Sequence, residues 1–164
     1  MVIVLLAEGF EELEALSPVD IMRRADIEVK TVGITGKEVT GSHGITVRAD
    51  LLPEEVEVES IEAVVFPGGM PGSLNLDASP YADEFIDAVT KNGGRIAAIC
   101  AAPLVLGRRG LLNGKRATCF PGFENELVGA TATGEPVVTD GNITTARDFR
   151  AAVEFGDELA RLLK

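Results

Sequence analysis

The stretch from residue 95 to residue 103, Arg-Ile-Ala-Ala-Ile-Cys-Ala-Ala-Pro, constrains the fold more than any other part of the chain. Residues 96–100 are apolar and leave no charged position for a solvated face, which predicts a central parallel strand covered on both sides. Pro103 then favours the first turn of a helix, because the N–H that proline lacks would be unpaired there anyway. The stretch therefore predicts a buried strand that turns at Cys100 directly into a helix.

A residue at such a turn is held in a strained backbone conformation, which requires small residues two positions away on each side. Ala98 and Ala102 occupy those positions. The arrangement matches the Gly-x-Ser-x-Gly nucleophile elbow, with cysteine as the nucleophile and alanines in place of the glycines. Amides at the start of the helix are expected to lower the pKa of the Cys100 thiol. The alternative is a small cysteine packed inertly beside a strand, and the local pattern does not decide between the two.

Strand patterns alternate with helix patterns along the rest of the chain. Strands or extended segments are predicted at residues 2–6, 27–34, 44–47, 63–66, 117–120, 136–139 and 142–146. Helices are predicted at residues 10–24, 81–91, 103–109 and 149–163, with single turns within 51–61 and 122–127. Pro18 is expected to kink the first helix near Ser17 or to break it in two. The alternation predicts an α/β sandwich around a mainly parallel sheet, as a single domain spanning residues 1–164.

Composition excludes several classes of function. A net charge of −11 argues against binding to nucleic acid or to anionic membranes. No segment approaches the roughly 18 apolar residues of a membrane span, and the amino terminus reads as a first strand and not as a signal peptide. The only two cysteines, Cys100 and Cys119, imply no disulfide framework, so a cytoplasmic protein is expected. Cys119 could be a resolving thiol, but a plain strand residue is favoured because no spacing motif supports pairing.

Three loops are expected to meet at the carboxyl edge of the sheet: the loop after the first strand, the loop at residues 67–72, and the elbow. This places Glu14, Gly69 and Cys100 as candidates for one site. The chain has a single histidine, His43, and no Cys-x-x-Cys pattern, so no metal site is expected. The glycine-rich loop lacks the phosphate-binding pattern, and no cofactor is expected.

Four motifs carry a resemblance to a known family. They are Ala-Glu-Gly-Phe-Glu-Glu-Leu-Glu-Ala at 7–15, Pro-Val-Asp-Ile-Met-Arg-Arg-Ala at 18–25, Phe-Pro-Gly-Gly at 66–69 and Ala-Ala-Ile-Cys-Ala-Ala-Pro at 97–103. In this order and spacing they resemble the ThiJ/PfpI superfamily, in its DJ-one and YajL-like branch. The resemblance implies a flavodoxin-like three-layer sandwich that acts as a homodimer.

The resemblance also implies roles for four residues. Cys100 is the oxidisable nucleophile, and Glu14 is a protonated acid that hydrogen-bonds the thiolate and serves as general acid and base. The amides of Gly69 and Ala101 match the donors that bind an oxyanion. From the residues alone, Glu14 could instead be an ordinary first-turn acid, and Gly68-Gly69 could be only a tight turn.

Several positions depart from the family pattern. Phe120 stands where animal members have a histidine near the cysteine, and it cannot transfer protons. Ala101 stands where the PfpI-type proteases have histidine, which disfavours an intracellular peptidase. Residues 147–151, Arg-Asp-Phe-Arg-Ala, replace the usual Arg-Gly-Pro-Gly-Thr and reshape the pocket wall. His43 stands where several relatives place an arginine, so it either contacts an anionic substrate or the oxidised cysteine, or is an idle histidine of a surface loop. Arg24 matches an arginine that relatives contribute near the site across the dimer interface.

Two main hypotheses follow. The first is a cofactor-independent enzyme of glyoxalase or deglycase type, which acts on small α-oxoaldehydes or on their early adducts with amines through Cys100 and Glu14. The second is a redox-responsive protective protein or chaperone in which Cys100 is oxidised. A module that only binds a ligand is the third, less specific reading.

Overall fold

The computed structural model describes residues 1–164 and contains ten strands and five α-helices. The strands are β1 (Val2–Leu6), β2 (Val29–Gly33), β3 (Glu38–Thr40), β4 (Thr46–Arg48), β5 (Ala63–Phe66), β6 (Arg95–Ile99), β7 (Arg116–Ala117), β8 (Thr131–Ala132), β9 (Val137–Asp140) and β10 (Ile143–Ala146). The helices are α1 (Glu12–Arg24), α2 (Gly72–Asp77), α3 (Pro80–Lys91), α4 (Pro103–Arg108) and α5 (Ala152–Leu163). Single 3₁₀ turns lie at Pro53–Glu55, Val58–Ser60, Glu124–Glu126 and Phe149–Ala151.

Six strands form the central sheet, in the order β2-β1-β5-β6-β10-β9. All neighbours pair in parallel except β9 and β10, which form an antiparallel edge hairpin. The elbow strand β6 therefore lies between β5 and β10, with Ala98 opposite Phe66 on one side and Ile99 opposite Ala146 on the other. The predicted mainly parallel, flavodoxin-like sandwich is confirmed. Because β6 lies in the middle of the sheet, the elbow at its end has a neighbouring strand on each side.

The apolar strands bury one set of side chains on each face of the sheet. In β1, Ile3 and Leu5 pack in one core cluster, while Val2, Val4 and Leu6 pack in the other. This explains why such strands are apolar throughout, since a strand covered on both faces has no solvated side. Residues of α2, α3 and α4 belong to the first cluster, and residues of α1 and α5 belong to the second.

The expected effect of Pro18 on the first helix is wrong in one respect. The helix is not broken in two, because α1 runs as one element from Glu12 to Arg24 with Pro18 inside it. Pro18 removes only one backbone donor, and the helix is held by its packing against α5. Gly156 allows this close approach, since a Cβ at that position would lie 3.0 Å from the Cα of Pro18.

Other boundaries also differ from the sequence prediction. The strand expected at 117–120 is reduced to β7, and both Cys119 and Phe120 lie beyond its end. Helix α2 and strand β3 are not predicted, because glycines and charged residues mask their short patterns. The final helix is preceded by a separate 3₁₀ turn over Phe149–Ala151. None of the helices combines the length and apolar composition needed to cross a bilayer.

Candidate active site

The backbone at Cys100 is strained and clamped from both sides. Its φ is +66°, in the left-handed region that side chains other than glycine rarely adopt. The Cys100 N–H donates to the carbonyl of Ala146 at 2.9 Å, and the Cys100 carbonyl accepts from the N–H of Phe120 at 2.8 Å. Ala98 and Ala102 are fully buried two positions away on each side. This is the geometry of the predicted elbow. The strained backbone at Cys100 costs about 1–3 kcal/mol of folding free energy, and the contacts of the surrounding strands offset that cost.

The glycine loop lets an acid approach the cysteine. A Cβ at Gly68 would overlap the Glu14 carboxyl and would lie 2.6 Å from the Cys100 Cβ. Gly69 has φ +92°, and a Cβ there would collide with the backbone of Gly9, Phe10 and Glu11. Both positions therefore require glycine for steric reasons, beyond the needs of a tight turn. The loop is tied to the start of α1 by the Glu11 N–H, which donates to the Gly68 carbonyl at 2.9 Å.

Glu14 is a buried acid in the first turn of α1. Only 1% of its surface is exposed, and one of its two carboxyl oxygens, Oε2, has no hydrogen-bond partner. Burial raises the pKa of Glu14 to about 7, assisted by the charges of Glu11 and Asp148 and opposed by hydrogen bonding with Cys100 and the Gly68 amide. Glu14 is thus able to hold or release a proton near neutral pH, which an ordinary first-turn acid cannot do.

The Cys100 thiol does not have the low pKa expected from the sequence. Burial raises its pKa, and the charge and hydrogen bond of Glu14 raise it further, whereas the amides of Ala101 and Gly69 act in the opposite direction. Helix α4 is only six residues long and cannot outweigh these effects. Cys100 and Glu14 therefore interact as a coupled pair, in which the Glu14 carboxyl is the group that changes its protonation near neutral pH.

The structure brings together four of the predicted site residues, Glu14, Gly69, Cys100 and Ala101. The amides of Gly69 and Ala101 both act on the Cys100 sulfur, as an oxyanion-binding pair would. Phe120 is adjacent to Cys100 through its backbone, while the residue as a whole is 39% exposed and its ring packs edge-on against Phe123.

His43 and Arg24 lie elsewhere. The His43 Nδ1 is 2.9 Å from the Glu12 Oε2 and 3.7 Å from the Glu11 Oε1. Hydrogen bonding to Glu12 and the charge of Glu12 raise the His43 pKa. Arg24, at the opposite end of α1, pairs with Asp20 at 2.8 Å. Within one chain, neither residue contacts the thiol.

One cluster has the spacing of a metal-ligand set. Donor atoms of Glu11, Glu12 and His43 lie within 4.8 Å of one another. Glu12 is already bonded by the His43 side chain and by the N–H groups of His43 and Ile45, at 2.8 and 3.3 Å. Burial raises the pKa of Glu12, but these hydrogen bonds outweigh it and leave the pKa lowered. The cluster borders a cavity of about 390 Å³ whose apolar walls are Leu13, Ile45 and Phe149.

Asp148 is a buried acid within the segment 147–151, and the sequence gives it no role of its own. It follows β10 and is only 6% exposed, and its Oδ1 accepts from the Arg150 N–H at 3.0 Å. Its Oδ2 lies 3.3 Å from the Arg147 Nε. In the same segment, the Arg150 guanidinium stacks 4.6 Å above the Phe149 ring. Asp148 is the N-cap of the Phe149–Ala151 turn, a position at which aspartate is preferred because its carboxylate accepts a backbone N–H of the first turn.

Cys119 does not act with Cys100 in this arrangement. It is 4% exposed and packs in the core cluster on the opposite face of the sheet from the one that Cys100 contacts. Burial, followed by the charge of Glu124, raises its pKa to about 11. The placement favours a packed core thiol over a resolving thiol.

Comparison with known proteins gives a consistent result. Residues 1–162 match the model of the DJ-1/PfpI family. The chain is 36% identical over 164 residues to protein dj-1beta of Drosophila melanogaster, covering 98% of this chain and 88% of that protein. It is 32% identical over 166 residues to a deglycase of Pyrococcus abyssi, covering 99% of each. The solved structure of oxidized Toxoplasma gondii DJ-1 superposes with a TM-score of 0.93 at 34% identity, covering 99% of this chain and 89% of that one.

Proposed function

The chain belongs to the DJ-1/PfpI family, and on this premise we propose that it is a cofactor-independent cysteine enzyme acting on small α-oxoaldehydes such as methylglyoxal and glyoxal. The same chemistry would release early adducts of these aldehydes from amines. One observation carries the proposal: a strained Cys100 lies against Glu14, a buried acid with a pKa of about 7. The deglycase name of the Pyrococcus abyssi relative supports this class of reaction.

The first step is addition of the Cys100 sulfur to the aldehyde carbon. The thiol proton passes to Glu14, and the new carbon–sulfur bond leaves an oxyanion that the Gly69 and Ala101 amides bind. Protonation of that oxygen gives a hemithioacetal. The strained elbow supports attack because it presents the sulfur at the end of β6, next to both amides.

Glu14 then moves the proton that rearranges the adduct. Removal of the hydrogen from the former aldehyde carbon and its return to the neighbouring carbonyl carbon converts the hemithioacetal of methylglyoxal into a thioester of lactate. One carbon is oxidised and its neighbour reduced, so no external oxidant or reductant is required. Water hydrolyses the thioester to lactate and the free thiol. A base with a pKa of about 7 suits both proton transfers.

No histidine assists in this mechanism. Phe120 cannot move a proton, and His43 is bound to Glu12 and not to the thiol. The proposal therefore assigns acid and base roles to Glu14 alone. An intracellular peptidase is disfavoured, because Ala101 supplies no side-chain base directly after the cysteine.

The experiment is incubation of pure protein with methylglyoxal and enantioselective measurement of lactate. We expect turnover by the wild type, and a loss of at least about 100-fold in Cys100→Ser and Glu14→Gln. Cys119→Ser is the matched control and should retain activity, since Cys119 lies in the opposite core cluster. Lactate formation by the wild type no faster than by Cys100→Ser would refute the proposal.

A second candidate function is redox protection, in which peroxide oxidises Cys100 through a sulfenate to a sulfinate held by the same two amides. The oxidized state named for the Toxoplasma gondii neighbour favours it. Graded peroxide followed by peptide mass spectrometry should place two oxygens on Cys100 before Cys119 reacts. Equal oxidation of both cysteines would contradict this function.

We also propose that the protein is a homodimer through the apolar surface beside the site. Four large hydrophobic residues on this surface are more than a third exposed. Three of them, Leu13, Ile45 and Phe149, line the cavity described above, and the fourth, Val153, lies in the first turn of α5. Covering them with a second copy would remove this apolar area from water and would allow Arg24 to approach the partner's site. Light scattering should give a dimer for the wild type and a monomer for Leu13→Asp. A monomeric wild type at micromolar concentration would contradict the proposal.

A further inference from the structure

The peptide bond that joins Cys100 to Ala101 carries one of the two oxyanion donors. Its N–H is the Ala101 amide, which favours negative charge at the sulfur. Its carbonyl, that of Cys100, accepts a hydrogen bond from the Phe120 N–H at 2.8 Å. In a trans peptide the N–H and the carbonyl lie in one plane and point in opposite directions. The hydrogen bond from Phe120 therefore fixes the direction in which the Ala101 N–H points.

This peptide plane needs an external support because the backbone at Cys100 is strained. A φ of +66° persists only where surrounding contacts hold it, and relaxation would rotate the following peptide. The Cys100 N–H, bonded to the Ala146 carbonyl at 2.9 Å, belongs to the peptide before Cys100 and holds that one. The bond from Phe120 holds the peptide after it, which is the one that contains the Ala101 amide.

Phe120 is in turn placed by a hydrogen bond two residues earlier in the chain. The Thr118 N–H donates to the Oγ1 of Thr145 at 2.9 Å. Both threonines are only 1% exposed, so bulk water cannot replace this acceptor. A buried N–H left without an acceptor is costly, and the segment would shift to find another. The Thr145 hydroxyl therefore sets the position from which Phe120 reaches the elbow.

Strand β10 supports the elbow from two consecutive residues. In its parallel pairing with β6, Thr145 lies opposite Ala98 and Ala146 lies opposite Ile99. Ala146 acts directly, through its carbonyl, whereas Thr145 acts through its side chain and the segment of Thr118 and Phe120. Because side chains alternate along a strand, the Thr145 hydroxyl is on the opposite face of the sheet from the hydroxyl of its neighbour Thr144.

We propose that Thr145 is a positioning residue for the oxyanion site: its hydroxyl holds the segment whose Phe120 N–H fixes the peptide plane that aims the Ala101 amide. Thr145 does not contact the substrate, and it changes no proton or bond in the reaction. Its effect is on steps in which an oxyanion forms beside the sulfur. The consequence for lactate formation rests on the proposed function, but the orientation of the amide does not.

The test compares two reactions of the same sulfur at pH 7. In acylation by p-nitrophenyl acetate, the Cys100 sulfur bonds to the acetyl carbon, an oxyanion forms and collapses, p-nitrophenolate leaves, and the thiol proton is released. In alkylation by iodoacetamide, the sulfur displaces iodide and no oxyanion forms. The first rate is read from the burst of p-nitrophenolate and the second from iodoacetamide labelling, and peptide mass spectrometry confirms that Cys100 carries each group. The ratio of the two rates reports on the oxyanion site.

Thr145→Val keeps the shape of the side chain and removes the acceptor. Loss of an oxyanion donor costs about 100-fold to 1000-fold in rate, so a misdirected donor should slow acylation by about 10-fold to 100-fold. Alkylation should stay within about threefold of wild type, since it depends on the thiol alone. Thr145→Ser keeps the hydroxyl and should restore acylation to within about threefold. If Thr145→Val does not fold, Thr145→Ala removes the same acceptor with the same expected result.

Thr144→Val is the matched control. Thr144 is also 1% exposed, and its Oγ1 lies 3.0 Å from the Thr139 Oγ1. Thr144→Val should lower the urea midpoint as Thr145→Val does, but it should leave the ratio of acylation to alkylation unchanged. An unchanged ratio in Thr145→Val, an equal change in Thr144→Val, or no recovery in Thr145→Ser would overturn the proposal.

The outcomes also separate this role from the proposed function. A wild type that forms no lactate but shows acylation dependent on Thr145 would refute the proposed function and leave the role of Thr145 intact. Lactate formation and acylation that are both unaffected in Thr145→Val would do the reverse. A wild type in which iodoacetamide labels Cys100 but p-nitrophenyl acetate does not acylate it would overturn the role of Thr145, because an oriented oxyanion site must promote acylation.

Discussion

Gly68→Ala is the sharpest perturbation of the site, because it adds one methyl group where Glu14 and Cys100 meet. The new Cβ would overlap the Glu14 carboxyl and would lie 2.6 Å from the Cys100 Cβ and 2.8 Å from the Ile99 carbonyl oxygen. Two of these neighbours belong to the clamped elbow and cannot retreat, so Glu14 must move away from the sulfur. Overpacking of this kind costs about 1–3 kcal/mol of the free energy of unfolding.

The expected consequences can be measured separately. For a chain of this length, a loss of about 1–3 kcal/mol lowers the Tm by roughly 2–12 °C. Displacing Glu14 by about 1 Å should reduce kcat/KM for methylglyoxal by about 100-fold, because proton transfer depends on that alignment. Gly110→Ala is the control: it has φ +73° with open space around it, so it should cost about 1–2 kcal/mol of stability and leave turnover unchanged. Gly68→Ala protein with wild-type Tm and wild-type turnover would refute the steric account.

Three further predictions concern stability. The pKa of Glu14 in the folded state is raised to about 7, so the free energy of unfolding should fall as the pH rises from about 4.5 to 7. At pH 8, Glu14→Gln should therefore be more stable than wild type by up to about 3 kcal/mol. Urea unfolding at pH 5 and pH 8 checks this, and equal differences at both pH values would contradict it. The pKa of His43 is raised by Glu12, so its contribution is present below its unfolded pKa of about 6.5 and is lost as the pH rises above its folded pKa. His43→Ala should therefore lower the Tm more at pH 5.5 than at pH 9, and the reverse order would be evidence against the ion pair. Phe155→Ala removes a fully buried ring from the cluster beneath α1 and α5 and should cost about 3–5 kcal/mol by urea unfolding; a loss under 1 kcal/mol would show that the cluster is loosely packed.

The sheet and the elbow could be predicted from the sequence because each rests on a local pattern. Runs such as residues 2–6 and 96–99 are apolar throughout, and this occurs where a strand is covered on both faces. Ala98, Ala102 and Pro103 likewise specify the turn at Cys100 without help from distant residues. The continuity of α1 through Pro18 was not predictable, because it depends on Gly156 in α5, far away along the chain.

The electrostatics of the site depended on tertiary contacts and were predicted less well. The helix-start argument gave the wrong direction for the Cys100 pKa, since burial and Glu14 outweigh the amides. Asp148 lies 134 positions after Glu14 along the chain, and only the pairing of β6 with β10 brings it near. The pattern of residues identified the nucleophile and its acid, whereas the charges that set their protonation required the fold.

The central claim is that this site works with a cysteine and a glutamate and without a histidine. It is tested most directly by methylglyoxal turnover to lactate in Glu14→Gln and His43→Ala, assayed beside the wild type at pH 7. The account predicts that Glu14→Gln loses at least about 100-fold in kcat while His43→Ala remains within about threefold of wild type. Wild-type turnover in Glu14→Gln, or its loss in a folded His43→Ala protein, would contradict the account.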